Sequence, residues 1–225
     1  MDFNKIDFDS FESETELCKL GFKYQTDKSP LCSHLEGFHA YTPFYSTLFS
    51  SLRYRDIVFG EIGIYKNASM KMWREYFPNA TLYGWDCRPE YSVEERYCED
   101  FIELAKNDNL DNVIYDYMNV KDDHSILSSM QKCNTKFDII LEDSDHEFWS
   151  QVRVINQSVN FLKPGGMLII EDVGYGIWEY FSSIQEYGYD RFYSSLTQVK
   201  TSHNNQRYGS DCDELIVLIR NGVNQ

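Results

Sequence analysis

The sequence predicts an α/β protein built on a mostly parallel sheet, and three observations lead there. Short apolar runs rich in β-branched residues alternate with longer segments of helical period. Several of those runs end on an acid or a glycine, as strands feeding a ligand crevice do. The 225 residues, 42% hydrophobic and 16% aromatic, supply one substantial core.

The elements follow in chain order. Asp56 to Ile62 is the first clear strand and ends at Gly63. Ala68 to Phe77 reads as a helix with Met70, Trp73 and Phe77 on one face and Pro78 as its stop. Thr81 to Asp86 is a strand, Glu94 to Ala105 a helix, Asn112 to Tyr117 a third strand and Ser125 to Met130 part of a short helix. Lys136 to Leu141 is a fourth strand, followed at once by the polar cluster Glu142-Asp143-Ser144-Asp145-His146. A helix from Glu147 to Phe161 puts Val152, Ile155 and Val159 on one side. Lys163-Pro164-Gly165-Gly166 then turns the chain into a fifth strand, Met167 to Ile170, which finishes on Glu171 and Asp172. The remainder reads as an irregular aromatic stretch (Tyr175 to Tyr189), a strand near Arg191 to Val199, a polar loop and a last strand from Glu214 to Ile219.

Composition excludes several functions. No run approaches the ~18 consecutive apolar residues of a membrane-spanning helix. The acidic N-terminal segment is neither a signal nor a transit peptide, which sets a cytoplasmic expectation. A net charge of −15, from 36 acids against 21 bases, repels a phosphate backbone, so no nucleic-acid partner is expected. The six cysteines form no C-x-x-C pair and read as free thiols rather than a zinc cage or a disulfide scaffold.

In open α/β sheets ligands bind beyond the carboxyl ends of the strands, where strand order reverses. Asp86, at the end of the second strand, is placed to accept hydrogen bonds from both hydroxyls of a ribose; a turn or cap residue is its plainer reading. Gly63 allows close backbone approach to a ligand and precedes a helix N-terminus that favours a negative group.

As an ordered set, the residues resemble the class I S-adenosylmethionine (SAM)-dependent methyltransferases, and in particular the magnesium-dependent O-methyltransferases of macrolide sugars, of mycinamicin and macrocin type. The resemblance covers Tyr24 to Val173. It rests on Gln25-Thr26-Asp27-Lys28 followed by His39-Ala40-Tyr41-Thr42-Pro43-Phe44-Tyr45, on Glu61-Ile62-Gly63, and on Tyr76-Phe77-Pro78-Asn79-Ala80 leading to Tyr83-Gly84-Trp85-Asp86. It continues with Glu142-Asp143-Ser144-Asp145-His146, and with Leu162-Lys163-Pro164-Gly165-Gly166 leading to Ile170-Glu171-Asp172.

The resemblance implies a Rossmann-like class I methyltransferase fold, a mostly parallel seven-stranded sheet with an antiparallel last strand. Residues 1–45 are expected as a leader and cofactor lid and residues 46–225 as the methyltransferase domain, in one compact unit. It implies that Glu61 and Gly63 border the methionine part of SAM, with Ser69 near its carboxylate, and that Asp86 binds the ribose. Thr26, Lys28 and Tyr41 would fold over the cofactor, and Asn119 would lie by the adenine. Asp143, Glu171 and Asp172 would ligate Mg2+ (or Mn2+), with His146 as the base and Asp143 catalytic through the metal. A small-molecule acceptor, a sugar or glycoside, and a homo-oligomer, a dimer, complete the expectation.

The chemistry is coherent. A sugar hydroxyl is a poor nucleophile at neutral pH, whereas a sulfonium methyl is already activated. The protein's task is positioning and deprotonation. Carboxylate oxygens are the hard ligands magnesium prefers. The aromatic stretch Tyr175 to Phe181 is the candidate acceptor wall, with helix packing as its equal alternative. Plainer readings stand beside the others: His146 as a first-turn helix residue, Asp143 and Asp145 as helix-start acids, Glu171-Asp172 as a strand-end turn, and His39 and Tyr41 as packing residues.

Three departures from the pattern stand out. Gly63 is followed by Ile64-Tyr65-Lys66-Asn67-Ala68-Ser69 with no second glycine, Ser144-Asp145 replaces Gly-Ser and places a further carboxylate beside His146, and Tyr117-Met118-Asn119 lacks an acid. A non-catalytic methyltransferase-fold binding module is therefore the alternative. A nicotinamide-dependent oxidoreductase ranks last, because no G-x-G-x-x-G is present.

Overall fold

A computed structural model of the chain describes all residues except 11–12, 36–37, 92–98, 174–175, 203–211 and 223–225. Its frame is an eight-stranded sheet made of β1 (Asp2–Asp9), β2 (Val58–Ile62), β3 (Thr81–Asp86), β4 (Val113–Tyr117), β5 (Phe137–Glu142), β6 (Leu162–Ile170), β7 (Tyr193–Ser202) and β8 (Cys212–Arg220). The spatial order is β1-β7-β8-β6-β5-β2-β3-β4. Pairing is parallel except that β8 runs antiparallel to both β6 and β7. This is the expected class I methyltransferase arrangement, with the antiparallel strand inserted next to β6.

The helices are α1 (Glu16–Tyr24), α2 (Thr42–Leu48), α3 (Ala68–Tyr76), α4 (Phe101–Lys106), α5 (Asp123–Lys132), α6 (Phe148–Ser158) and α7 (Ile177–Glu186). Side chains alternate across the sheet into two cores, as the period of two requires. On one face Phe59, Ile139, Leu141, Ile169, Leu215 and Val217 meet Tyr45, Phe49, Trp73 and Phe77 from α2, α3 and their ends. On the other, Ile62, Ile140, Leu168, Ile170, Ile216 and Leu218 meet Met130, Val154, Ile155, Tyr180 and Ile184.

The structure departs from the sequence reading in four places. The leader contributes a strand: β1 pairs in parallel with β7 at the sheet edge, so the sheet has eight strands rather than seven. Its alternation is hard to read because nearly every residue in it is exposed. Lys163 to Gly166, expected as a turn before the strand, lies within β6, where the register jumps from Phe137↔Leu162 to Ile139↔Met167. The proline and glycines are absorbed by that irregularity, as they are in bulges. The aromatic stretch expected to be irregular holds a ten-residue helix, α7; Tyr180 and Ile184 supply its buried face. Of the helix expected over Glu94–Ala105, residues 94–98 lie outside the described part, and the described helix begins at Phe101 behind the capping carboxylate of Asp100.

The strand order reverses between β2 and β5, and backbone hydrogen bonds tie the carboxyl end of β2 to its neighbours β5 and β3. Asp143 N donates to Ile62 O at 2.8 Å, and Gly63 N to Trp85 O at 2.8 Å. Gly63 has φ +91°, and a Cβ there would lie 2.0 Å from the Asp143 carbonyl oxygen. Only glycine permits both the conformation and the approach. Gly63→Ala should therefore lower stability by about 1–3 kcal/mol, read as a lower urea midpoint at unchanged m-value; a midpoint equal to that of the parent protein would refute this account of the turn.

Candidate active site at the strand switch point

The acids at the ends of β2, β5 and β6 converge around one buried cation. Lys28 arrives from the segment after α1, and its side chain is 2% exposed. Its Nζ contacts Asp143 Oδ2 and Glu171 Oε2 directly and lies 3.7 Å from Glu61 Oε1. Burial opposes the lysine's charge, but Asp143, Glu171 and Glu61 outweigh it and hold its pKa well above the ordinary value. Glu171 is fully buried, and its other oxygen, Oε1, accepts from Tyr45 OH at 2.6 Å. The Glu171 carbonyl accepts from Gln151 Nε2, whose own oxygen takes the Tyr180 hydroxyl.

Beside this pair lies a more open face. Asp143, His146 and Asp172 present ligand-type atoms that all lie within 4.8 Å of one another. His146 Nδ1 is 3.7 Å from Asp172 Oδ2 and 4.0 Å from Asp143 Oδ1, and the imidazole is 45% exposed. Asp172 Oδ1 accepts from Tyr41 OH at 2.6 Å. His39, stacked on Tyr41, sits 3.4 Å from Asp172 Oδ2 and 3.2 Å from Asp213 Oδ1. Burial disfavours its charge, but the bond to Asp213 and the charges of Asp172 and Asp213 push its pKa up to about 10. His146 and Asp172 both adopt positive φ, +56° and +51°. Left-handed backbone at two non-glycine residues of one cluster is strain that the surroundings impose.

Glu61 and Glu142 line the floor. Glu61 is fully buried; Oε2 accepts from Ser69 Oγ at 2.8 Å, while Oε1 has no hydrogen-bond donor among the described residues. Burial, only partly offset by Lys28, pushes its carboxyl up to about 7. Glu142 is likewise raised to about 7 by burial despite its bonds from Ser144. Among the described residues, Glu61, Asp143 and Glu171 lie against the Lys28 ammonium and Asp172 lies between His39 and His146, while Glu142 takes its hydrogen bonds from Ser144.

The other predicted residues are placed as follows. Asp86 Oδ2 accepts from Tyr65 N and Oδ1 from Cys87 N, each at 2.8 Å, so its carboxylate organises the glycine-poor loop in which Tyr65 takes φ +44°. Ser69 points at Glu61. Thr26 is buried with its hydroxyl near Asp27 and the Lys28 amide. Lys28 and Tyr41, expected at the cofactor, reach the acids of β5 and β6. Asn119 accepts from Lys121 N at the turn into α5 and lines a cleft of about 190 Å³ with Arg88, Tyr117, Met118 and Ser125. Asp145 is engaged at the start of α6: Oδ1 accepts from Glu147 N and Oδ2 from Ser150 Oγ, with Lys121 Nζ 3.4 Å from Oδ2. On the candidate acceptor wall, Tyr180 is core, Trp178 is exposed and stacks on Phe3 of β1, and Tyr175 lies outside the described residues.

Sequence reasoning assigned no site role to Tyr45, Glu142 or Asp213. Tyr45 belongs to the motif Tyr41-Thr42-Pro43-Phe44-Tyr45, one helical turn from Tyr41, which was a usable signal. Asp213 reaches the site from a strand remote in sequence, and no local pattern announces it.

No family model matches the chain. It is 27% identical over 174 residues to 8-demethyl-8-(2-methoxy-alpha-L-rhamnosyl)-tetracenomycin-C 3'-O-methyltransferase of Streptomyces olivaceus, covering 72% of this chain and 39% of that protein. It is 27% identical over 172 residues to mycinamicin VI 2''-O-methyltransferase of Micromonospora griseorubida, covering 72% and 37%. The matched part thus spans about two-fifths of these curated relatives' length. Among solved structures, the MycE methyltransferase of the mycinamycin pathway, in complex with Mg and SAH, superposes with a TM-score of 0.63 at 18% identity, over 93% of this chain and 55% of that one. TomG, an O-methyltransferase of Streptomyces achromogenes in complex with SAM, gives 0.55 at 14% identity, over 93% and 92%. The motif resemblance and the fold are thereby borne out.

The raised carboxyl of Glu61 has a measurable consequence. Folded, it keeps its proton to about pH 7; its ordinary value is 4.5, so the folded state binds the extra proton between the two. Stability from this group is present below pH 4.5 and is lost as pH rises through 7. In chelator-treated protein, Glu61→Gln should therefore raise Tm relative to the parent by several degrees more at pH 8 than at pH 5; a pH-independent difference would contradict the assignment.

Proposed function

We propose that this chain is a SAM-dependent, divalent-metal-assisted O-methyltransferase acting on a hydroxyl of a sugar, nucleotide sugar or glycoside. The observation that carries the reading is the convergence of Asp143, His146 and Asp172 at the switch point of a methyltransferase-type sheet, next to Glu61. The sugar O-methyltransferases among its relatives, and the Mg and SAH held by MycE, support the class of acceptor and the two cofactors.

The residues suit both groups. Glu61 Oε1, buried without a hydrogen-bond donor, is an acceptor suited to the amino group of SAM. Asp86 spends one lone pair of each oxygen on backbone amides and keeps the others for ribose hydroxyls. The excess of carboxylates over Lys28 and His39 favours a further cation, and Asp143 and Asp172 would hold it. When bound, the cofactor supplies an activated methyl group and the divalent ion lowers the pKa of an acceptor hydroxyl beside it.

The chain's own residues do the rest. With Nδ1 turned to the two carboxylates, His146 has Nε2 for the acceptor proton, and its half-exposed ring meets a substrate from solvent. Tyr41 orients Asp172 through a hydrogen bond; burial and neighbouring carboxylates hold its phenol well above the ordinary range, so it stays a donor. Lys28 and Tyr41 bring the N-terminal part against the acids of the site, the position a lid built from the first 45 residues would take, and Trp178 offers an exposed aromatic ring.

A second reading, a methyltransferase-fold binding module without catalysis, is favoured by the engagement of Asp86 with the glycine-poor loop. Calorimetric titration with SAM and its demethylated product separates the two. Catalysis predicts micromolar SAM binding and magnesium-dependent methyl transfer to sugar-nucleotide acceptors. His146→Ala and Asp143→Asn should each lower that transfer by about 100-fold or more. A folded protein that binds neither ligand would favour the module, and abundant turnover in both variants would sink the mechanism.

A further inference from the structure

We infer that Glu171 is not a metal ligand in this chain but the fixed counter-ion of Lys28, and that a divalent ion is seated on the opposite oxygens, Asp143 Oδ1 and Asp172 Oδ2, beside His146. The inference rests on the metal-assisted reading above and departs from the ligand set that motif resemblance implies.

The two oxygens of Glu171 are engaged on both sides, Oε2 by the Lys28 ammonium and Oε1 by the Tyr45 hydroxyl at 2.6 Å, and the side chain has no solvent exposure. A doubly charged ion on either oxygen would stand within a few ångströms of a buried ammonium, where little water screens the repulsion. Glu171 is also anchored through its backbone: its N–H donates to Glu142 O at 3.0 Å and its carbonyl accepts from Gln151. The next residue breaks from the strand, with φ +51° at Asp172, and its carboxylate lies on the side of Asp143 and His146.

Asp143 divides its two oxygens. Oδ2 meets Lys28, while Oδ1 faces His146 at 4.0 Å. The Glu171 carboxylate contributes no atom to the group whose ligand atoms lie within 4.8 Å, whereas Asp143, Asp172 and His146 all do. Lys28 therefore acts as a permanent cation behind the exchangeable one. It neutralises the inner acids and leaves a two-carboxylate seat open to substrate.

The test compares Glu171→Gln with Asp172→Asn in the full chain, with Mn2+ as the probe, followed by calorimetry and by electron paramagnetic resonance of the free ion. The amide keeps the shape of Glu171 and an oxygen for one of its donors. Asp172→Asn should weaken Mn2+ binding at least about tenfold more than Glu171→Gln does. A loss in Glu171→Gln equal to that in Asp172→Asn would overturn the inference, because it would mean that metal displaces the lysine.

Nuclear magnetic resonance of lysine-15N-labelled parent protein gives a reading that needs no variant. The Lys28 ammonium should show slow solvent exchange and persist at saturating Mg2+; its disappearance on metal addition would also overturn the inference. A parent protein that binds neither ion would overturn it together with the metal clause of the proposed function, while SAM titration reports separately on the cofactor clause.

Discussion

The site depends on one constraint: a single ammonium, Lys28, is buried among three carboxylates that belong to three different strand ends. Removing a charge from water costs several kcal/mol, and a buried pair recovers it only with good geometry and further hydrogen bonds. Here those bonds come from Tyr45, Ser69 and the backbone around Glu171. The arrangement ties the segment after α1 to β2, β5 and β6 at once. The N-terminal part is thus joined to the sheet twice, at its edge through β1 and at its switch point through Lys28. Such a network is weak evidence for net stability but strong evidence for a specified geometry, because losing Lys28 would leave buried carboxylates without their cation.

Around that anchor, the backbone leaves regular strand geometry at several positions near the acids. Gly63, His146 and Asp172 carry positive φ just beyond the ends of β2, β5 and β6. Glu171 enters the buried pair while Asp172 faces the open cluster; Glu142 is on the floor while Asp143 bridges both. A regular strand would also put neighbouring side chains on opposite faces of the sheet, but beyond the last ladder bond it is the turn that decides how far apart they end. At the end of β2 the backbone of Gly63 packs so closely on that of Asp143 that no Cβ fits between them.

Much of this was legible in the residues. The parallel frame followed from alternating apolar runs, and β3 was read to the residue, because Thr81 to Asp86 is bounded by Pro78 on one side and a charged end on the other. The resemblance placed Asp143, Glu171 and Asp172 together with His146; the structure groups Asp143, His146 and Asp172 and turns Glu171 to Lys28. Side-chain partnerships were not legible, because they are set by packing between elements: Lys28 and Tyr41 carry no local mark that sends them to acids more than a hundred residues away. β1 stayed hidden because an edge strand exposed on both faces has no hydrophobic alternation to show. α7 stayed hidden because its aromatics mimic an irregular wall until the burial of Tyr180 and Ile184 reveals a helical stripe.

The glycine-poor loop after Gly63 shows how a sequence departure is accommodated rather than lost. Two glycines normally let such a loop curl under a ligand; here Tyr65 and Asn67 take positive φ instead, at +44° and +66°. The cost is offset locally. Asp86 accepts the Tyr65 amide, the Tyr65 ring packs edge-on to Phe101, and Asn67 is held by Tyr115 and Asp108. The backbone therefore reaches a glycine-like path with side chains that brace it from outside. Ser69 follows at the start of α3 with its hydroxyl on Glu61, so the loop still delivers its last residue to the buried acid. The left-handed positions and their braces together fix the path of the backbone between Gly63 and α3.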